Sequence, residues 1–225
     1  MQTPLTQCAF LCMLQFIEEA KTPMDTRTMP RPPLPDAALR QLFADARTVN
    51  GFLDIPVPRA TLERVYSLAC MGPTSMNCQP ARFVMLASRE ARERLEPFLM
   101  PGNRAKTVAA PVCVIVATDS RFYEHMPEIW HDASAREMFA SDPALASATA
   151  ARNGTLGGAY LILAARSLGL DCGPMSGFDM DKVNAEFFPD GRWRANFLVN
   201  LGYGDPSTVF PRNPRLPFET ACEVL

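Results

Sequence analysis

The chain has 225 residues, of which 48% are hydrophobic and 20% are charged, and its formal net charge at pH 7 is −2. A chain of this length and composition can bury a sizeable core without disulfides or metal ions. The nearly balanced charge excludes bulk electrostatic attraction to nucleic acid or to an anionic membrane surface, so we expect neither partner.

Seven cysteines and two histidines are the residues that a disulfide framework or a metal site would use. The number of cysteines is odd and no Cys-x-x-Cys occurs, which favours the reducing cytoplasm over a secreted, disulfide-bonded protein. The cysteines and histidines also lack the spacing of zinc ligands, so no metal site is predicted.

Residues 1–35 are interpreted as an extension in front of the folded domain. The apolar run 8–17 is too short to span a bilayer, and no Lys or Arg precedes it, so neither a membrane helix nor a secretory signal is predicted. Several prolines close this segment and oppose regular structure. We expect this extension to be poorly ordered and 36–225 to form a single domain, and we hypothesise that translation starts at Met24 or Met29.

Apolar periodicity predicts four helices and three strands in the remaining chain. The helices are predicted at 36–46, 61–71, 88–99 and 145–168, the last ending at Gly169. The strands are predicted at 82–87, 111–117 and 197–201. Because helices and strands do not alternate strictly, we expect an α+β sandwich rather than a doubly wound parallel sheet.

Motifs for common catalytic machinery are not found. The one G-x-G, at Gly202–Gly204, is followed by too little chain for a dinucleotide-binding βαβ unit, so it is interpreted as a turn after a strand. The segment 173–177 has the wrong spacing for the G-x-S-x-G turn of a serine hydrolase. No side-chain nucleophile is therefore identified.

A polar loop lies between the second predicted helix and the first predicted strand. Its side chains with amide or hydroxyl groups stand between two prolines and are Thr74, Ser75, Asn77 and Gln79. Such a loop can offer uncharged donors and acceptors to the edge of a heterocycle. It can equally satisfy its own backbone as an ordinary turn, and the sequence leaves both readings open.

Two other features also allow two interpretations. Arg212 and Arg215 lie in a proline-stiffened loop, where a guanidinium fork suits a phosphate but can also remain simply solvated. The long helix carries Gly154, Gly157 and Gly158, which fit close packing either at a dimer interface or in the core.

Four segments, in order, resemble the motifs of the flavin-dependent nitroreductase family. Residues 73–80 (PTSMNCQP) resemble its P-S-S-x-N-x-Q-P signature, and 173–179 (GPMSGFD) resemble its P-I-x-G-F-D segment. Residues 46–52 (ARTVNGF) resemble its R-R-S-x-R-x-F motif, with Asn50 in place of the usual basic residue. Residues 212–217 (RNPRLP) resemble its basic C-terminal phosphate loop.

The resemblance implies a three-layer α/β/α sandwich with a mostly antiparallel sheet, and a domain-swapped type of homodimer with FMN bound at its interface. Arg47, Thr48 and Asn50 would meet the phosphate, the ribityl chain and the ring edge of the flavin. Ser75, Asn77 and Gln79 would contact the flavin, the first two from the other subunit. The backbone at Ser176 and Gly177 would face flavin N5, and Arg212 and Arg215 would hold the phosphate.

Within this family the chain resembles most the malonic semialdehyde reductase subgroup, through 45–51, 72–75, 173–179 and the stretch around Gly102, Asn103 and Lys106. That resemblance implies hydride transfer from NADPH or NADH through FMN to malonic semialdehyde in pyrimidine breakdown. Alternatives are a general nitroreductase, a quinone or flavin reductase, and a non-enzymatic flavin-binding protein.

Residues 119–143 combine aromatic residues with both histidines and are expected to form a mobile lid that selects the substrate. The candidate substrate contacts are Lys106, His125, His131 and Arg136.

Overall fold

The computed structural model describes residues 31–225. Contacts divide the chain into two units, Met1–Leu39 and Arg40–Leu225. In the first unit, the described part contains one short helix, α1 (Asp36–Leu39). The expected disorder of residues 1–30 and the hypothetical start sites at Met24 and Met29 lie outside the described residues.

The second unit is built on a four-stranded antiparallel sheet. Its strands are β1 (Ala81–Leu86), β2 (Val112–Asp119), β3 (Asp171–Met175) and β4 (Trp193–Gly202), in the spatial order β1-β2-β4-β3. Each neighbouring pair is antiparallel, with one register shift in the β2–β4 pair. The two central strands carry the continuous apolar runs, as predicted for buried strands.

Helices and short helical turns connect these strands. The helices are α2 (Arg59–Ala69), α3 (Arg89–Leu95), α4 (Pro101–Ala109), α5 (Met126–Ile129), α6 (Ser134–Ser141), α7 (Pro143–Ser167), α8 (Met180–Phe187) and α9 (Phe218–Ala221). A π-helical segment occupies Arg40–Ala44, and 3₁₀ turns occupy Ser75–Asn77, Glu96–Phe98, Phe122–His125 and Pro206–Thr208.

The sheet lies between two helical layers. One face of β2, represented by Val114, packs in a core cluster with Val65 of α2 and Leu161 of α7. The opposite face, represented by Ile115, packs in a second cluster with Leu95 of α3 and Val183 of α8. Alternation along β2 sends successive side chains into the two cores, so the predicted α+β sandwich with a mostly antiparallel sheet is confirmed.

Local signals explain several helix ends. The Ser88 hydroxyl accepts a hydrogen bond from the Ala91 N–H at 3.2 Å, and the Asp142 carboxylate accepts one from the Leu145 N–H at 2.9 Å, so both side chains cap the helices that follow. Gly169 has a φ of +78° and ends α7, as predicted.

Other elements differ from the sequence prediction. The helix predicted over 36–46 is α-helical only through Leu39 and continues as the π-helical segment. The edge strand β3 was not predicted, because its sequence DCGPM contains Gly and Pro, which disfavour strands. Helices α4 and α8 were not predicted either.

The glycines of α7 serve packing within the chain. A Cβ on Gly154 would lie 2.2 Å from the Thr118 side chain, and one on Gly158 would lie 2.4 Å from the Phe197 ring. These contacts let the helix lie close to the sheet, so core packing, one of the two interpretations left open by the sequence, accounts for these glycines.

We predict that Gly158→Ala destabilises the protein by up to about 2 kcal/mol, because an overpacking cost of about 1–3 kcal/mol exceeds the roughly 1 kcal/mol gain in helix propensity. Gly102→Ala in α4 is the matched control, since no heavy atom lies within 4 Å of its added Cβ. Denaturant unfolding measures both variants. Equal stability of the two would contradict the packing argument.

An ion cluster joins the ends of the central strands to β1. The Asp119 carboxylate is 1% exposed and accepts hydrogen bonds from Arg82 at 2.8 Å and from Arg192 at 3.1 and 3.2 Å. Burial would raise the pKa of Asp119, but the hydrogen bonds from Arg192 and from the Arg121 N–H, together with the arginine charges, outweigh it and lower that pKa.

Removing this carboxylate is therefore expected to be costly. Asp119→Ala should lower the free energy of unfolding by about 3 kcal/mol, because it removes the buried carboxylate that Arg82 and Arg192 share and leaves only Arg192 with an anionic partner, Glu124. Glu93→Ala breaks the exposed Arg89–Glu93 pair and should change the free energy of unfolding by less than about 1 kcal/mol. A loss for Asp119→Ala no larger than for Glu93→Ala would show that the cluster is not structural.

Wild type and the Asp119→Ala variant should also differ in how much stability they lose in acid. The pKa of Asp119 is lowered in the folded protein, so its carboxylate stabilises the fold fully above the ordinary Asp pKa of about 3.9. This stabilisation is lost as the pH falls below about 3.9 towards the pKa of the folded state. Wild type should consequently lose more stability than Asp119→Ala between about pH 5 and pH 3. Parallel losses in denaturant melts at both pH values would contradict this.

Candidate cofactor and substrate site

The segment containing Arg47, Thr48 and Asn50 is fixed along the outer edge of β3. Thr48 forms a parallel bridge with Cys172, and the N–H of the next residue, Val49, donates to the Cys172 carbonyl at 3.0 Å. This backbone pairing sets the direction of the side chains on either side of Val49.

Two arginines meet where this segment crosses the C-terminal one. Arg47 donates to the Phe210 carbonyl. Arg212 donates to the carbonyls of Ala44 and Ala46 at 2.6 and 2.8 Å. The structure thus brings together Arg47 and Arg212, both of which are predicted to contact the phosphate. Their present partners are neutral carbonyls, and a phosphate would form stronger hydrogen bonds with the two guanidinium groups.

Arg215 has a different environment from Arg212. Its guanidinium donates to the carbonyls of Asn213 and Pro214 in its own loop, at 2.9 and 3.3 Å. The hydrogen bonds of the described residues do not link it to Arg47 or Arg212, so its predicted contact with phosphate stays a prediction.

Helix α4 links two further predicted segments. Asn103 Nδ2 donates to the Gly177 carbonyl at 2.9 Å, and Lys106 Nζ donates to Asn50 Oδ1 at 3.2 Å. Asn103 and Lys106 are three residues apart and therefore share one helix face. Gly177 is preceded by the exposed Ser176 at the end of β3. We call the residues gathered here the basic group: Arg47, Thr48, Asn50, Lys106, Ser176, Gly177 and Arg212.

Asn200 lies buried beneath the basic group and was not identified from the sequence. Its Nδ2 donates to the Lys106 carbonyl at 3.4 Å and to Thr107 Oγ1 at 3.2 Å. Among the residues that the structure describes, its Oδ1 has no hydrogen-bond partner. An asparagine inside the apolar run FLVNLG was the signal that could have found it.

The polar loop predicted to contact a heterocycle lies elsewhere. Asn77 Nδ2 donates to the Ile129 carbonyl at 2.8 Å, and Gln79 Nε2 donates to Asn77 Oδ1 at 3.0 Å. The Ser75 N–H donates to Asn153 Oδ1 at 2.8 Å. We call Ser75, Asn77 and Gln79 the amide group.

The backbone of this loop is unusual. Met76, Asn77 and Gln79 have positive φ values of 51°, 52° and 40°. Non-glycine residues adopt such angles only where the surroundings hold them, often at binding sites. Part of the turn is self-satisfying, since Thr74 Oγ1 accepts from the Gln79 N–H at 3.2 Å, which agrees with the interpretation as an ordinary turn. Contact with a heterocycle stays a prediction.

The predicted substrate residues of the lid lie on the side of the amide group. His125 and Gln79 both line an open cavity of about 500 Å³. The ring of His131 lies against that of Trp130, with centroids 4.2 Å apart and the planes tilted by 44°, and Arg136 is exposed on α6. The hydrogen bond from Asn77 to the Ile129 carbonyl ties this region to the amide group, whereas Lys106 belongs to the basic group.

The two groups lie at opposite corners of the sheet. Cys172 of β3 lies beside Thr48 and is level with Val112 of β2 across the intervening strand β4. Ala81 of β1 lies next to the amide group and is level with Thr118 of β2. Six residues along β2 and three strand spacings give a diagonal of about 24 Å. One chain therefore does not bring both groups to one small molecule.

Cysteine and metal chemistry find no support in the described part of the chain. Burial raises the pKa of the Cys78 thiol to about 11 and of the Cys113 and Cys172 thiols to about 12, so none is a thiolate at neutral pH. Residues 31–225 contain no cluster of side chains that could hold a metal ion, and no helix among them is long and apolar enough to cross a membrane.

Comparison with known proteins decides the family. The sequence profile of the nitroreductase family matches residues 30–203. The chain belongs to the nitroreductase family. A relative from Ralstonia nicotianae is 54% identical over 194 residues, which cover 86% of this chain and 100% of the relative. One from Burkholderia lata is 56% identical over 191 residues, which cover 85% and 98%. Both carry the provisional name NADH dehydrogenase/NAD(P)H nitroreductase.

The fold of this nitroreductase family member is shared with solved structures. A provisionally named nitroreductase from Exiguobacterium sibiricum, solved in complex with FMN, aligns with a TM-score of 0.74 at 16% identity. The alignment covers 88% of this chain and 100% of that one.

Proposed function

We propose that this protein is an FMN-dependent oxidoreductase that takes a hydride from NADPH or NADH and passes it to a small acceptor. The observation that carries the proposal is the basic group, in which four segments distant in sequence converge on one edge of the sheet. The NAD(P)H in the names of the relatives and the FMN in the solved neighbour support the choice of cofactors.

The residues of the basic group fit FMN. Arg47 and Arg212 would exchange backbone carbonyls for the phosphate, and Thr48 would meet the ribityl chain. Asn50 and Lys106 would lie at the pyrimidine edge of the ring. A Cβ on Gly177 would lie 2.6 Å from Asn103 Nδ2, so only glycine lets the backbone lie close there, where its N–H would face flavin N5.

Bound FMN would supply the hydride-accepting and hydride-donating chemistry. The chain would bind the phosphate, orient the ring through the basic group, and limit access through the lid. This division of roles needs no side-chain nucleophile, which agrees with the raised thiol pKa values.

We further propose that the flavin site is completed by a second copy of the chain. The diagonal separation of the two groups supports this. A flavin on the basic group of one chain would lie too far from the amide group of the same chain, whereas the amide group of another copy would reach it. The outer edge of β1 pairs with no strand of the described chain, and the C-terminal segment exposes the apolar residues Phe210, Leu216, Phe218 and Val224. Both features suit a homodimer that exchanges its C-terminal segments.

For the acceptor we propose malonic semialdehyde, on the strength of the subgroup resemblance. The lid offers His131 and Arg136 for an acidic substrate. The names of the relatives favour a second candidate, a nitroaromatic or quinone acceptor.

An anaerobic absorption spectrum tests the cofactor proposal. The purified protein, supplied with FMN, should show the two flavin bands, and NADPH or NADH should bleach them. Adding malonic semialdehyde should restore the bands faster than a nitroaromatic or a quinone at equal concentration. The reverse order would favour the second candidate, bands that neither nucleotide bleaches would indicate a flavin-binding protein that is not an enzyme, and a failure to bind FMN would refute the proposal.

Co-expression of two complementary variants tests the shared site. One variant is Arg47→Met, and the other is Asn77→Gly with Gln79→Gly, which removes both amides but keeps the positive φ values accessible. Each variant alone should be impaired at limiting FMN. Random pairing in a two-fold dimer should restore about a quarter of the wild-type sites, because half the dimers contain one intact site. Activity no higher than the mean of the two variants would refute a shared site.

A further inference from the structure

A buried asparagine on α7, Asn153, contacts the amide group. Its side chain is 1% exposed, and both of its polar atoms form hydrogen bonds. Oδ1 accepts from the Ser75 N–H at 2.8 Å, and Nδ2 donates to the Thr149 carbonyl of its own helix at 2.8 Å. The second bond orients the amide so that its oxygen faces the loop. Because a buried amide costs free energy unless its polar atoms are paired, the bond to Ser75 accounts for an asparagine at this core position.

The close approach of α7 to the sheet brings Asn153 within reach of the loop. Gly154 follows it directly, and a Cβ on Gly154 would lie 2.2 Å from the Thr118 side chain. A Cβ on Gly157 would lie 2.6 Å from the Cβ of Ala81, the first residue of β1 and the residue that follows the loop. Larger residues at either position would hold α7 away from the end of the loop.

The turn that begins at Ser75 has no cap from its own segment. The first N–H groups of a helical turn have no partner within the turn. Thr74 occupies the cap position, but its hydroxyl accepts from the Gln79 N–H instead. The loop then passes through the positive φ values of Asn77 and Gln79, which persist only where the surroundings hold them. Asn153 supplies the missing cap from a different element of the fold.

We propose that Asn153 is a positioning residue for the flavin site, and that it acts through the Ser75 backbone on the side chains of Asn77 and Gln79. The inference rests on the proposed function and deepens it, because it adds a residue that acts through the loop. Under the proposed shared site, Asn153 orders the amide group that its own chain presents to the flavin held by the other copy. Its effect should therefore follow the amide group and not the chain that binds the phosphate.

Titration with FMN, followed by the quenching of flavin fluorescence, measures this effect without turnover. Asn153→Leu keeps the approximate volume of the side chain and removes both polar atoms. It should raise the FMN dissociation constant roughly tenfold, the change expected when one buried hydrogen bond is lost. Gly158→Ala is the matched control on the same helix, because its added Cβ meets Phe197 and Val116. It should bind FMN as wild type does although it is less stable.

The same hydrogen bond can be removed from its other end. Ser75→Pro deletes the N–H, and the extended Thr74, with φ −135° and ψ 155°, suits a residue that precedes proline at the start of a turn. Ser75→Pro should weaken FMN binding in its own right. In this background Asn153→Leu should produce little further weakening, since no N–H remains to be left unpaired. A general loosening of α7 would instead add to the effect of Ser75→Pro.

Co-expression with Arg47→Met tests which flavin Asn153 serves. In a mixed dimer, one site combines the intact basic group of the Asn153→Leu chain with the intact amide group of the Arg47→Met chain. At limiting FMN, the mixture should therefore bind more FMN than the mean of the two variants alone. If Asn153 acted on the basic group of its own chain, both sites of the mixed dimer would be impaired.

Three results would overturn the inference. The first is an unchanged FMN dissociation constant in Asn153→Leu, and the second is equal weakening by Asn153→Leu with and without Ser75→Pro. The third is a mixture that binds no more FMN than the mean, although the Asn77→Gly, Gln79→Gly variant complements Arg47→Met. All three leave the proposed function standing, whereas a wild-type protein that binds no FMN removes the proposed function and this inference with it.

Discussion

Burial of the two central strands on both faces is the constraint from which the rest of the architecture follows. β2 and β4 are apolar along most of their length and must be covered by helices above and below. Glycines in α7 allow that cover to approach closely, as the short distances from Gly154 and Gly158 to the sheet show. Polar chemistry is then confined to the edges and corners of the sheet, because the faces have no room for it.

This constraint accounts for the division of the candidate site. The basic group gathers at the β3 edge, where the 46–52 segment pairs with the outermost strand and the C-terminal segment crosses it. The amide group gathers at the opposite corner, ahead of β1, and carries the lid with it through the Asn77–Ile129 hydrogen bond. Under the proposed function each corner would hold part of a flavin site, and this separation is the reason for proposing a homodimer.

The sequence predicted the parts of the fold that depend on local or periodic signals. The continuous apolar runs predicted β2 and β4, Ser88 predicted a helix cap, and Gly169 predicted the end of α7. It did not predict β3, whose Gly and Pro are tolerated only because the strand is supported by β4 on one side and by the 46–52 segment on the other.

For the site, the resemblance to family motifs supplied candidate residues but did not indicate how they meet. The hydrogen bond between Asn50 and Lys106 joins residues 56 positions apart, and neither residue type signals the other. Asn200 stands out within its apolar run, but its contacts with Lys106 and Thr107 are apparent only in the structure. Long-range pairing of this kind depends on the packing of α4 against the sheet, which no local pattern encodes.

Native mass spectrometry of the FMN-loaded protein tests the central claim, that two copies complete each flavin site. If the site is shared, FMN is retained by a dimer carrying two flavins, and monomers released by dilution carry none. A monomer that retains one FMN as firmly as the dimer does would show that a single chain suffices and would contradict the account.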